Sequence, residues 1–430
     1  MLISVRDENR RLSVKTQSYL ASSDFFAGNR PDELIAQFGS PLYVYSEAIF
    51  RQRCQDMQQL VDYEHFTANY SIKANSNLHL LAIAREEGMY ADAMSPGEIL
   101  FLEKAGFKPE QIFFVPNNVS AAELQFAIDH KVLTSLDSLA QLDLYGQLDP
   151  GGRVAIRINP GVGAGHHEKV VTGGKKTKFG ISMDQVSAVQ EILDRHNLHL
   201  VGVNQHIGSL FMEPHPYLEA ARHFLSLAQQ FPELELIDFG GGFGIPYHKL
   251  EGQPRLDLVT LRRELTQLIR DFVAHYGRVV HFKSEPGRYV VAESGVLLGT
   301  VHAVKQNDAT TFVGTDLGFN VLARPMVYDS WHDIEVYHDG QLAETDQTSP
   351  VTVVGNICES GDIIAKHRDL PGITEGDLLC ILDAGAYGYS MSSSYNNRPR
   401  PAEILITEAG QTQLIRRRET FEDLFRLFEF

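Results

Sequence analysis

The pattern of apolar and polar positions divides the chain in two. From about residue 66 to 285, short apolar runs alternate with stretches whose apolar residues recur every three or four positions. The runs are HFTANYSIK, MYADAM, QIFFVP, KVLTSL, RVAIRIN, LVGVNQHI, LELIDF and VVHFKSE. Runs of this length and composition predict buried strands. Between them, NLHLLAIAREEG and PYLEAARHFLSLAQQF each carry one apolar face and predict helices. Eight successive strand–helix units predict an α/β protein built on a parallel (β/α)8 barrel, with a doubly wound open sheet as the alternative.

After residue 290 the texture changes. GVLLGTVHAVKQ, TTFVGTD, PVTVVGNICES, DLLCILDAGAYG and AEILITEAG are β-rich and separated by turn residues. They predict a C-terminal, mostly antiparallel β domain. A chain of 430 residues is long for one core, which agrees with two domains. The reading sets the barrel at residues 41–292 and the β domain at 1–40 and 293–430.

Composition narrows the classes of function. A net charge of −17 argues against nucleic acid or an anionic membrane as the partner. No apolar run approaches the ~20 residues of a membrane span. The opening MLISVRDENRRLSVKTQ lacks a signal-peptide core. Three cysteines, Cys54, Cys358 and Cys380, suit a reducing cytoplasm better than a disulfide framework.

In a β/α barrel the chemistry gathers at the C-terminal ends of the strands. The first strand ends at Lys73, the second at Asp92 and the fifth at Arg157. The sixth ends at His206, the seventh at Gly240, Gly241 and Gly242, and the eighth at Glu285. Each alone has a structural explanation; a lone buried histidine is more often packed than functional. Together they converge on one mouth. A glycine turn there exposes backbone N–H groups suited to phosphate, although a tight turn before a helix would use the same residues. A lysine, a phosphate cradle, a histidine ring and a carboxylate point to pyridoxal 5′-phosphate. Lys73 would bond its aldehyde, His206 would stack on its ring, and Glu285 would keep its pyridine nitrogen protonated.

Longer motifs then carry a resemblance. YSIKANSN, INPGV, TGGKKTKFGI, HIGS, GGGFGIPY, EPGRYVV, ARPMVY, ICESGD, DAGAYGYSMSSSYN and RPRPAEIL resemble the fold-type III pyridoxal-phosphate decarboxylases, and among them the diaminopimelate decarboxylases. The resemblance implies decarboxylation of meso-diaminopimelate to L-lysine by a homodimer with shared active sites. It implies that Lys73 is the Schiff-base lysine and His206 the ring-stacking residue. It places Ser209, Gly241, Gly242, Gly287 and Arg288 around the phosphate. Arg288, Arg324, Tyr328 and Glu359 match substrate-binding positions, and Tyr387 matches a residue touching both cofactor and substrate. Cys358 matches the proton donor, reached across the dimer interface.

The chain also departs from the family pattern. Ser71 and Ile72 stand where Ala-Val is common, Leu210 where glutamine is usual, and GAGHHEKVVTGG differs near the substrate entrance. A decarboxylase of D-lysine, D-ornithine or carboxynorspermidine is therefore the rival reading. A racemase of this fold would carry arginine at the pyridine nitrogen, where this chain has Glu285. An inactive regulatory homologue would lack Lys73 or Cys358. His166 and His167 are adjacent, but no third ligand stands at a credible spacing, so no metal is expected.

Overall fold

In the computed structural model, which describes residues 25–159, 178–344 and 347–429, the eight predicted strands close into one parallel barrel. They are Phe66–Ser71, Tyr90–Ala93, Ile112–Phe114, Leu133–Leu136, Arg153–Asn159, His199–Asn204, Leu236–Asp238 and His281–Ser284. Each pairs with the next, and Phe282 beside Phe66 closes the ring. The strands are almost wholly buried because helices cover their outer face.

The crossover helices start where the sequence supplies caps. Asn77, Ser95, Ser120, Ser138 and Asp257 each accept a backbone N–H of the first helical turn. Such a cap stabilises a helix by about 1 kcal/mol. Pro214–Ala228 buries Tyr217, Leu218, Ala221, Phe224, Leu225 and Ala228, a single stripe at helical spacing.

The second sheet has ten strands and is mostly antiparallel. Gly295–Asn307 is its long spine; it pairs with Leu42–Ser46, Thr310–Thr315 and Leu378–Ile381. The five β-rich segments after residue 290 all supply strands, joined by Ile334–His338, Ile363–Pro371 and Thr412–Arg416. The domain boundary differs from expectation. Leu42–Ser46, assigned to the barrel, lies in this sheet, between Gly295–Asn307 and the parallel Ala402–Ile406. Phe25, Phe26 and Leu34 pack with Leu42, Val44 and Ile404 in the same core. Residues 1–24 of the expected β-domain segment lie outside the described residues, as do His166 and His167.

Candidate active site

Lys73 lies just past the first barrel strand, in the 3-10 turn Ile72–Ala74. Ile72 and Ala74 are buried, while the lysine side chain is open to the barrel mouth. The turn is held from the β domain. Asn75 donates to Tyr45 Oη at 2.9 Å and to the Gly385 carbonyl at 3.0 Å, and the Tyr387 N–H donates to the Ala74 carbonyl at 2.8 Å. Tyr387 is held at φ +56°, an uncommon conformation for a bulky residue. The protein that lines the mouth partly desolvates the Lys73 amine and draws its pKa down. The nearby Tyr387, Asp92 and Glu285 outweigh that effect and leave it above the ordinary lysine value.

Asp92 is fully buried on the neighbouring strand, in register with Ser71. The Ser71 hydroxyl donates to Asp92 Oδ1 at 2.7 Å, so this departure from the family pattern has a defined role. Arg157 is buried with its guanidinium 4.5 Å from the Phe179 ring centroid. Burial lowers its pKa, opposed by Glu285 and Asp137.

His206 follows the sixth strand, and its Nδ1 accepts the Gly241 N–H at 3.2 Å. Burial, then the positive charges of Lys73 and Arg157, push the ring well below its ordinary pKa. It is therefore neutral, with its proton on Nε2. The glycine turn does not open a helix; the next one, Leu258–Tyr276, starts well beyond it. The glycines let three loop backbones meet. A Cβ on Gly240 would lie 2.2 Å from the Gln205 carbonyl oxygen, one on Gly241 2.0 Å from that of Glu285, and one on Gly242 2.5 Å from that of Gly208.

Glu285 is buried beside Asp238, a residue the sequence analysis did not single out. Asp238 Oδ1 accepts the Gly240 N–H at 2.8 Å. Glu285 Oε1 and Asp238 Oδ2 have no hydrogen-bond partner among the described residues. Burial, then the adjacent Glu285 charge, holds Asp238 well above the usual carboxylate range. Glu285 is raised chiefly by burial, against Lys73 and Arg157. Two like charges this close oppose each other's ionisation, so the pair titrates as a unit.

Arg288 heads the short helix Arg288–Val291, directly after Gly287. It donates to Tyr247 Oη at 2.9 Å and to Ser209 Oγ at 3.2 Å, and its buried Nε has no partner among the described residues. Arg324, 2% exposed, lies 4.6 Å from the Tyr247 ring centroid and 2.8 Å from His332 Nε2. Neither guanidinium has a carboxylate partner among the described residues. Tyr328 ends the same helix as Arg324 and is half-buried. Tyr247 and His332 are further site residues that sequence reasoning missed. The GGGFGIPY motif contained Tyr247, but nothing in it marked that side chain.

Cys358 and Glu359 stand apart. Both are exposed, in the turn between Thr348–Val354 and Ile363–Pro371. The Cys358 N–H donates to Asn396 Oδ1 at 2.8 Å. Neither side chain bonds a residue of the Lys73 site among the described residues. Cys54 and Cys380 are buried.

The residues fit a phosphorylated pyridine aldehyde. They offer an accessible amine, a neutral imidazole, a buried carboxylate with an unused oxygen, and an arginine Nε and hydroxyl beside closely packed glycines. Comparison with known proteins agrees. The family described as pyridoxal-dependent decarboxylase, pyridoxal binding domain, matches residues 47–292. The chain is 41% identical to diaminopimelate decarboxylase of Methanothermobacter thermautotrophicus over 92% of each chain. It is 36% identical to that of Escherichia coli, over 92% of this chain and 95% of the relative. A crystal structure of diaminopimelate decarboxylase superposes with a TM-score of 0.87 at 36% identity, covering 94% of this chain and 98% of the other. The Helicobacter pylori enzyme complexed with L-lysine gives 0.84 at 32% identity, covering 92% and 98%. With this barrel, this second sheet and this set of groups around Lys73, the chain belongs to the diaminopimelate decarboxylases of the pyridoxal-dependent decarboxylase family.

Proposed function

We propose that the protein converts meso-diaminopimelate to L-lysine and carbon dioxide. Pyridoxal phosphate, when bound, supplies the electron sink that lets a carboxylate leave as carbon dioxide. Lys73, His206, Ser209, Gly241, Gly242, Glu285, Gly287 and Arg288 would hold it, with Asp92, Arg157 and Tyr387 around them. Glu285, whose Oε1 has no hydrogen-bond partner among the described residues, offers a carboxylate oxygen to a protonated ring nitrogen. His206 is neutral and adds no charge against it.

The observation that carries the substrate reading is the pair Arg288 and Arg324. Among the described residues both buried guanidiniums hydrogen-bond only neutral groups, and Arg288 lies 5.0 Å from the ring centroid of Tyr387, whose N–H holds the Lys73 turn. An amino acid with a carboxylate at its far end answers the guanidinium charge, and Arg presents paired donors to it. Because the product is an L-amino acid, the centre that loses carbon dioxide is the D centre. The far end retained at Arg324 is the L centre.

Cys358 and Glu359 are proposed to act in the partner's site of a homodimer, the thiol giving the proton that replaces the lost carboxylate and Glu359 pairing with the distal ammonium. Their support is their exposure and, among the described residues, the lack of any side-chain bond to the site of their own chain. No helix among the described residues is long and apolar enough to cross a membrane. The unpaired Cys54 and Cys380 support a reducing cytoplasm.

The test is to supply purified holoenzyme with meso-diaminopimelate, D-lysine, D-ornithine and carboxynorspermidine, and to identify the amine released. L-lysine from diaminopimelate at the highest kcat/KM is the expected result. Faster consumption of one of the other three would overturn the substrate assignment.

A further inference from the structure

His332 lies in the segment SWHD and is 1% exposed. Its Nδ1 is 2.7 Å from the Leu382 carbonyl oxygen. A carbonyl oxygen only accepts, so Nδ1 carries the ring proton. Nε2 is then a bare lone pair, and it accepts from Arg324 Nη1 at 2.8 Å. The ring is held in one tautomer at both ends. Burial, then the Arg324 charge beside it, keep its pKa well below the ordinary histidine value.

The support behind this ring is rigid. The Leu382 N–H donates to the Asp333 carbonyl at 2.9 Å. The Asp333 carboxylate accepts from Trp331 Nε1 at 2.8 Å and from the Leu250 N–H at 2.9 Å. Tyr247 meets the edge of the imidazole at 5.4 Å between centroids and covers one face of the Arg324 guanidinium.

We propose that His332 is a positioning residue that aims Arg324 at the distal carboxylate of the substrate without neutralising it. The inference rests on the reading of Arg324 as the group that binds that carboxylate. A buried guanidinium must be held by some acceptor. For the buried Arg53, away from the site, the acceptors are carboxylates: Glu293 at 3.0 Å and Asp56 at 2.9 Å. A carboxylate beside Arg324 would satisfy its charge and repel an incoming one. A neutral imidazole fixes the rotamer through one N–H and leaves the charge, with the other donors, for the substrate.

The experiment compares Arg324→Ala, His332→Gln, His332→Leu and His332→Glu as holoenzymes. It records kcat and KM for meso-diaminopimelate, cofactor absorbance and melting temperature. His332→Glu places a carboxylate on Arg324, and His332→Leu removes the acceptor; each is expected to raise KM by roughly ten- to a hundredfold, with a smaller change in kcat. His332→Gln keeps an acceptor and is expected to stay within a few-fold of wild type. If Arg324→Ala raises KM while His332→Glu and His332→Leu leave it unchanged, His332 only packs and the proposal fails. If all three His332 variants lose melting temperature and cofactor absorbance together, the role is structural and the proposal fails too. If Arg324→Ala itself leaves KM unchanged, the carboxylate reading of Arg324 is what fails.

Discussion

Lys249 Nζ lies 2.7 Å from Asp383 Oδ1, with both side chains 1% exposed. The pair joins two segments that each carry a site residue: Lys249 follows Tyr247 by two positions, and Asp383 precedes Tyr387 by four. Lys249 also reaches Glu293, which pairs with Arg53 and Arg255. A buried ion network thus ties the barrel's seventh loop to the β domain.

This pair gives a pH dependence of defined sign. Burial, opposed by Lys249 and reinforced by Glu293, pushes Asp383 up to about 7. An unfolded aspartate titrates near ~3.9. Between those values the folded chain binds the proton and the unfolded chain does not. Asp383 therefore contributes stability that is present below about pH 4 and is lost as pH rises toward 7. Asp383→Asn cannot ionise. Urea unfolding of both proteins from pH 4.5 to 8 should show the wild type losing stability relative to the variant as pH rises, with the difference levelling above about 7. A difference independent of pH would show that Asp383 does not titrate in that window.

Lys73 should be the residue that anchors the cofactor. Its side chain points into the mouth and the turn around it is held by Asn75, so Lys73→Ala should fold with an unchanged melting temperature. Borohydride treatment of the wild-type holoenzyme, followed by peptide mass analysis, should find the reduced cofactor on Lys73. A label on Lys249 or Lys283 would refute the assignment.

Gly241 offers a test of the loop packing. Its φ is not in the left-handed region, so an alanine is not excluded by backbone conformation. The added Cβ would nonetheless sit 2.0 Å from the Glu285 carbonyl oxygen, which belongs to backbone and cannot rotate away. Gly241→Ala should therefore push the glycine loop from the Glu285 loop at a cost of about 1–3 kcal/mol. The same shift would break the Gly241 N–H bond to His206 Nδ1. Weaker cofactor binding, followed by titrating apoenzyme with pyridoxal phosphate, is the expected readout; wild-type affinity and stability would mean the loops are more yielding than drawn.

How much of this was legible follows from where each signal resides. The strands were readable because each is a local run, and a barrel brings strand ends together whatever their separation. That is why Lys73, Asp92, Arg157, His206 and Glu285 could be gathered from the chain. The glycines were readable as a tight place but not in their purpose. Their close neighbours are the Gln205, Gly208 and Glu285 backbones, which only the closed barrel supplies. Leu42–Ser46 is absent from the strands predicted above, and its partners lie at 295–298 and 402–406, so nothing local gave its sheet. Ile363–Pro371 and Thr412–Arg416 are half-polar and did not show the continuous apolar run that marks a buried strand. Asp238 looked like an ordinary strand-end residue until Glu285 stood beside it. His332 had no signal of its own: its tautomer is set by Leu382, fifty positions away.

Cys358 and Lys73 are expected to meet only across a dimer. Cys358 is exposed and its N–H is bound to Asn396, while Lys73 opens into the barrel mouth. The flanking Glu359, Ser360 and Gly361 keep this turn polar and away from the core. In a two-fold dimer each mouth would then combine Lys73 of one chain with Cys358 of the other. Lys73→Ala and Cys358→Ala homodimers should each have little activity. Mixed under conditions that exchange subunits, half the dimers pair one variant with the other. Such a heterodimer holds one site missing both residues and one site with both intact, so activity should return to about a quarter of wild type. A single chain that completes its own site would give no recovery, because every site would still lack one residue. Native mass spectrometry of the mixture distinguishes that result from a failure to exchange: heterodimers present without activity would show that the two residues do not act in a shared site.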